Sequence, residues 1–141
     1  MAARNKARKR AFQIIFEADQ RGTTAPEVLE DWLRHAGADE RQPPVSEYTM
    51  ELIEGYARNA PRIDELISTY SVGWTLDRMP VADRCILRLA AYELIWSEDV
   101  PEAVVIDEAL DIAGEFSTDD SPAFINGLLG RLKDLKPTLR R

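Results

Sequence analysis

The sequence predicts an all-α fold of about seven helices packed as helical bundles. Two observations carry this. Apolar residues recur three and four positions apart through most of the chain, and no segment of useful length alternates in the manner of a strand. Capping residues, glycines and prolines fall between these stripes, where helices must start and stop. At 141 residues the chain has the size of one ordinary domain.

The first stripe is Ala7, Ala11, Ile14, Ile15 and Ala18, and Gly22 ends it. Thr24-Ala25-Pro26-Glu27 has capping-box spacing ahead of Val28, Leu29, Trp32, Leu33 and Ala36. Gly37 is expected to stop that helix, and residues 38–44, with Pro43 and Pro44, read as loop. Ser46 suits the N-cap of the stripe Thr49, Leu52, Ile53 and Tyr56. Pro61 is expected to interrupt it, with Ile63, Leu66, Ile67 and Tyr70 resuming beyond. Ser71-Val72-Gly73 is a break that divides the chain into halves of about 1–73 and 74–141. Thr75 can cap a short turn, and Pro80 fits the start of a longer helix. That helix carries Ala82, Cys85, Ile86, Leu89, Ala90 and Leu94, widened by Leu87, Ala91 and Ile95, a face broad enough for more than one neighbour. Pro101-Glu102 opens the next, with Val105, Ala109, Ile112, Ala113 and Phe116 on one side. After the polar loop Ser117–Asp120, Ser121 (N-cap) and Pro122 start the last helix, Ile125, Leu128, Leu129 and Leu132, and Pro137 is expected to end it.

The net charge of −7 is unevenly spread. Residues 1–21 hold six Lys or Arg against Glu17 and Asp19, residues 131–141 hold five against Asp134, and the body between is strongly acidic. Basic ends on an acidic body fit a nucleic-acid footprint confined to one surface, and equally two solvated termini. No apolar run approaches the roughly 20 residues that span a bilayer. The basic stretch through Arg10 is followed by Ala11–Phe16, broken by Gln13, and then by acids, unlike a secretory signal. The expectation is a cytoplasmic protein without membrane contact. Cys85 is the single cysteine, which leaves no internal disulfide or cysteine-based zinc site.

Catalytic chemistry needs reacting groups held together, and the inventory is poor. His35 is the sole histidine and reads as a surface or boundary residue; Cys85 lies on the apolar stripe of its helix and reads as core. Asp107, Asp111 and Glu115 are successive i,i+4 neighbours and, with Glu108, read as a solvated acidic face, since a helical di-metal site would want Glu-x-x-His. Gly127 and Gly130 lack the strand and the Lys-Ser/Thr of a phosphate loop; Gly127 is expected to permit close backbone approach. No catalytic residue, metal or cofactor is expected.

The N-terminal run is different. Arg4, Lys6, Arg8, Lys9 and Arg10 crowd the start of an amphipathic helix, where the helix dipole favours anions. An anionic partner would relieve that cost, and side chains so spaced can follow a phosphate backbone. Taken alone, the run also admits a solvated arm or a protein contact.

Four stretches carry a resemblance to a known family: RNKARKRAFQIIFEAD (4–19), WTLDRMPVADRCILRLAAYEL (74–94), DVPEAVVIDEALDIAGEFS (99–117) and DDSPAFINGLLGRL (119–132). In order and spacing they resemble the NusB family of transcription antitermination factors, from about residue 4 to residue 135. The resemblance implies two three-helix bundles set roughly perpendicular. It implies binding of single-stranded boxA RNA of ribosomal RNA leader transcripts together with NusE, a small-subunit ribosomal protein, and joining of the RNA polymerase elongation complex. Members occur as monomers and homodimers. Carried over by position, Arg4, Lys6, Arg8 and Gln13 fall in the RNA-binding segment, and Asp120, Phe124 and Asn126 lie at an RNA edge of the last helix. Phe124 either stacks on a base or packs beneath the first helix. Asp77 and Asp83 match an acidic surface near the ribosomal protein, and the two RNA segments are expected to form one groove. The chain departs from the pattern at Asp107 (usually Asn), Gly114 (usually Lys) and Ser117 (usually Gly). Two other readings compete: an adaptor without RNA binding, and an accessory domain of an rRNA cytosine methyltransferase, for which no catalytic domain is seen in this chain.

Overall fold

The computed structural model describes residues 2–36 and 44–139. The expected stop at Gly37 and most of the loop expected at 38–44 lie outside them. The helices are α1 (Ala2–Arg21), α2 (Ala25–His35), α3 (Glu47–Tyr70), α4 (Val81–Trp96), α5 (Glu102–Phe116) and α6 (Ser121–Leu139), with a single 3₁₀ turn at Leu76–Arg78. Among the described residues there is no strand. The all-α expectation holds, with six α-helices and the short turn in place of about seven helices.

The chain forms two compact units, Met1–Arg58 and Asn59–Arg141. The boundary between these units falls inside α3. In the first unit α1 packs on α2, burying Ala11, Phe12, Ile14, Ile15 and Ala18 together with Val28 and Leu29. α1 ends as the sequence requires. Gly22 takes φ +69°, its N–H donates to Asp19 O (3.4 Å), and Thr23 N–H donates to Ala18 O (3.0 Å). These two bonds satisfy carbonyls that a helix end otherwise leaves open. Thr24 Oγ1 accepts from Glu27 N (3.4 Å) to cap α2, and Ser46 Oγ accepts from Thr49 N (3.2 Å) to cap α3. Thr49 is fully buried and donates its hydroxyl to Ala7 O (3.1 Å), which pins the first turn of α3 to α1.

Pro61 does not interrupt α3, which runs through it. A proline inside a helix costs about 3 kcal/mol, whereas each fully buried Ile or Leu contributes about 1.5–3 kcal/mol. Ile63, Leu66 and Ile67, all buried just beyond it, outweigh the lost bond. Pro137 likewise lies within α6, which continues to the buried Leu139.

In the second unit α4, α5 and α6 pack pairwise as a three-helix bundle. α4 is central: Cys85, Ile86, Leu87, Ala91, Leu94 and Ile95 are all buried. Arg88 clamps the remainder of α3 to α4 by a fork on Asp64, with Nε–Oδ1 at 2.9 Å and Nη2–Oδ2 at 3.1 Å. α6 begins at Ser121 itself, one residue earlier than the capping pattern suggests. Gly127 is exposed, and an added Cβ would meet only Arg131 Nη1 at 3.6 Å, so the close backbone approach expected there is absent.

Candidate nucleic-acid interface

In the first unit the candidate residues sit on α1. Lys6 and Gln13 are exposed and Arg4 is half-buried. Tyr48, on the first turn of α3, lies beneath two of the arginines: the guanidinium carbon of Arg4 is 4.4 Å from its ring centroid and that of Arg8 is 5.6 Å. Cations over an aromatic face are attracted by the ring quadrupole, so the cluster is held in place by stacking. Arg10 is held in the same way, 5.1 Å from the Trp32 ring, with Nη1 donating to Pro44 O (2.9 Å). Partial burial lowers its pKa from the ordinary guanidinium value.

Arg8 corrects the sequence reading. It is only 3% exposed, so it is not an outward phosphate ligand beside Arg4 and Lys6. The helical period that aligns it with Arg4 also aligns it with Ala11 and Ile15, which are core.

In the second unit the candidates surround the α5–α6 turn. Asp120 and Asn126 are exposed. Phe124 stands one turn beyond Asp120, its N–H donating to Asp120 O (3.3 Å), and is half-buried against Trp74, with ring centroids 5.3 Å apart and planes tilted by 54°. The turn is fastened from within. Ser117 donates its hydroxyl to Asp83 Oδ1, Ser121 Oγ donates to Ser117 Oγ (3.0 Å), and Thr118 N–H donates to Ser121 Oγ (3.2 Å).

Asp83 is the second correction. It is fully buried and so belongs to no acidic surface row; its Oδ2 is buried with no hydrogen-bond partner. Its place on the inner face of central α4 puts it under the turn that follows α5. Asp77 is exposed in the 3₁₀ turn. The Thr75 hydroxyl, then its own backbone N–H, hold its carboxyl below the ordinary aspartate value, helped by Arg78 and Arg84.

Arg4 and Arg8 thus meet on Tyr48, Asp120 and Phe124 are joined by a backbone hydrogen bond at the start of α6, and Asp77 and Asp83 are parted by burial. Sequence reasoning passed over Tyr48 and Trp74. Each is one aromatic at the edge of a helix, and only the folded chain pairs it with Arg4 or Phe124. Asp107, Asp111 and Glu115 are exposed, as expected of a solvated face. His35 is exposed, with Nδ1 2.8 Å from Asp31 O. Among the described residues no group of His, Cys, Asp and Glu could hold a metal ion, and no helix is long and apolar enough to cross a membrane.

The model of the NusB family matches residues 5–134. A transcription antitermination protein NusB of Streptomyces avermitilis is 72% identical over 141 residues, covering 100% of this chain and 98% of that protein. The chain belongs to the NusB family. Structures agree. NusB of T. maritima is 35% identical with a TM-score of 0.79, over 93% of this chain and 90% of that one. A crystal structure of the antitermination factors NusB and NusE in complex with double-stranded RNA shares the fold at 24% identity, with a TM-score of 0.78 over 95% and 98%. Against the NusB pattern, Ser117 is a departure with a visible task, since it is the donor to buried Asp83. Gly114 is exposed, with nothing within 4 Å of an added Cβ.

Proposed function

We propose that this chain is a non-enzymatic, cytoplasmic antitermination factor. It binds single-stranded boxA RNA of ribosomal RNA leader transcripts together with the ribosomal protein NusE, and joins the elongating RNA polymerase. Family membership supports the reading, as do the names of relatives and the NusB–NusE–RNA complex of a fold neighbour. One observation of the chain itself carries it: an acidic molecule that nonetheless stacks Arg4 on Tyr48 beside the exposed Lys6. Arg4 and Lys6 contact phosphates, Gln13 lies further along the same helix, and Arg8 acts from beneath by holding Tyr48. Asp120, Phe124 and Asn126 meet bases. Asp77, exposed and ionised, faces the basic ribosomal protein by charge complementarity.

The test is a filter-binding titration of boxA RNA against a scrambled RNA, with and without NusE, over a range of salt. Replacing Arg4 and Lys6 by Ala should weaken boxA binding and flatten the slope of log K against log salt by about 0.7 per lost single-strand phosphate contact. An unchanged slope would remove these cations from the interface and leave a protein adaptor as the better account.

A further inference from the structure

Trp74 is the most exposed of the three tryptophans, at 40%, and Val72 beside it is 70% exposed. Exposed apolar side chains in a group mark a surface that meets something. The loop that presents them is built, not loose. Ser71 N–H donates to Ile67 O (2.9 Å), and the Ser71 hydroxyl donates to Trp74 O (2.6 Å). Gly73 takes φ +95°, which side chains rarely adopt, and Arg131 Nε donates to Tyr70 O (3.0 Å) to anchor the loop to α6. The indole therefore stands in a fixed place against Phe124.

We propose that Trp74 is a base-stacking residue, its indole braced by the tilted Phe124 ring and offering one face to an unpaired nucleobase. The proposal rests on the RNA-binding reading and adds a contact that the reading does not contain. The chemistry around the rings selects a base over a phosphate. Asp120, exposed just before α6, accepts the Phe124 N–H at its carbonyl and so keeps a negative charge near the rings, which disfavours phosphate. A carboxylate can instead accept from the amino edge of a base, as Asp and Glu do from cytosine N4. Flat aromatic faces tolerate any base, so the stack contributes affinity with little sequence preference.

The experiment measures binding of wild type, Trp74→Ala and Trp74→Phe to single-stranded boxA RNA. It repeats the measurement with a series of the same RNA, each member lacking one base but keeping its phosphate. Circular dichroism confirms that the variants remain helical. Trp74→Ala should lose roughly 5- to 100-fold in affinity, and Trp74→Phe much less. The salt slope should not change, because no cation is removed. One abasic RNA should weaken wild type by a similar factor and weaken Trp74→Ala no further. RNA should quench tryptophan emission in wild type more than in Trp74→Phe. The proposal is overturned if Trp74→Ala binds like wild type, if its deficit is the same on every abasic RNA, or if the deficit appears only when NusE is present. A wild type that binds no RNA overturns the function proposed above, and this inference with it.

Discussion

The two candidate regions secure their side chains by opposite means. In the first unit, cations are held at the surface by aromatic rings, Arg4 by Tyr48 and Arg10 by Trp32, with the buried Arg8 also against Tyr48. In the second, aromatics stand at the surface near an acid, and the turn that leads into Phe124 is fastened from within by the hydrogen-bonded chain Asp83–Ser117–Ser121. The difference teaches where each region is vulnerable. Surface stacking lowers the freedom that long side chains lose on binding, yet removing it leaves the core intact. A buried polar network is costly to break, because a partner left behind is already out of water.

Ser117→Ala should have the largest effect on the protein itself. It would strip the donor from Asp83 Oδ1 while Oδ2 already has no partner, leaving a buried carboxyl without the bond that serves it. The expected loss is about 1–3 kcal/mol in urea unfolding. A loss below a few tenths would mean that the corner is not held from inside.

Tyr48→Ala should behave the other way. Its ring contributes about 0.5–1 kcal/mol per exposed cation–π contact, so stability should fall modestly while boxA RNA binding weakens several-fold as Arg4 loses its support. Tyr48→Phe keeps the ring and should bind nearly as wild type. If both variants bind equally poorly, the phenolic hydroxyl and not the stack is responsible, and the contrast between the units loses its first half.

Much of the fold was legible because its signals are local. Gly22, Thr24 and Ser46 sit where helix ends need them, and the broad apolar face of α4 announced a central helix. Pro61 and Pro137 misled because a proline is a local penalty and the burial that overrides it is tertiary. The same limit applies to the sites. The cluster at Arg4, Lys6 and Arg8 was visible as charge, but periodicity could not say that Arg8 turns inward. Asp83 was read as a surface acid because its donor, Ser117, lies 34 residues away. Tyr48 and Trp74 gain meaning only from partners that the sequence places far off.

The smallest effect concerns Gly114, on the exposed side of α5. An added Cβ there meets nothing, so Gly114→Ala should stabilise the protein by about 0.5–1 kcal/mol through helix propensity alone. Gly114→Lys should match it, since lysine is nearly as good a helix former. The pair separates stability from charge. If the second unit meets bases and not phosphates, both variants should bind boxA RNA with the wild-type salt slope. A steeper slope in Gly114→Lys alone would show that phosphates run past α5, and the division of labour between a phosphate-binding first unit and a base-binding second unit would have to be given up.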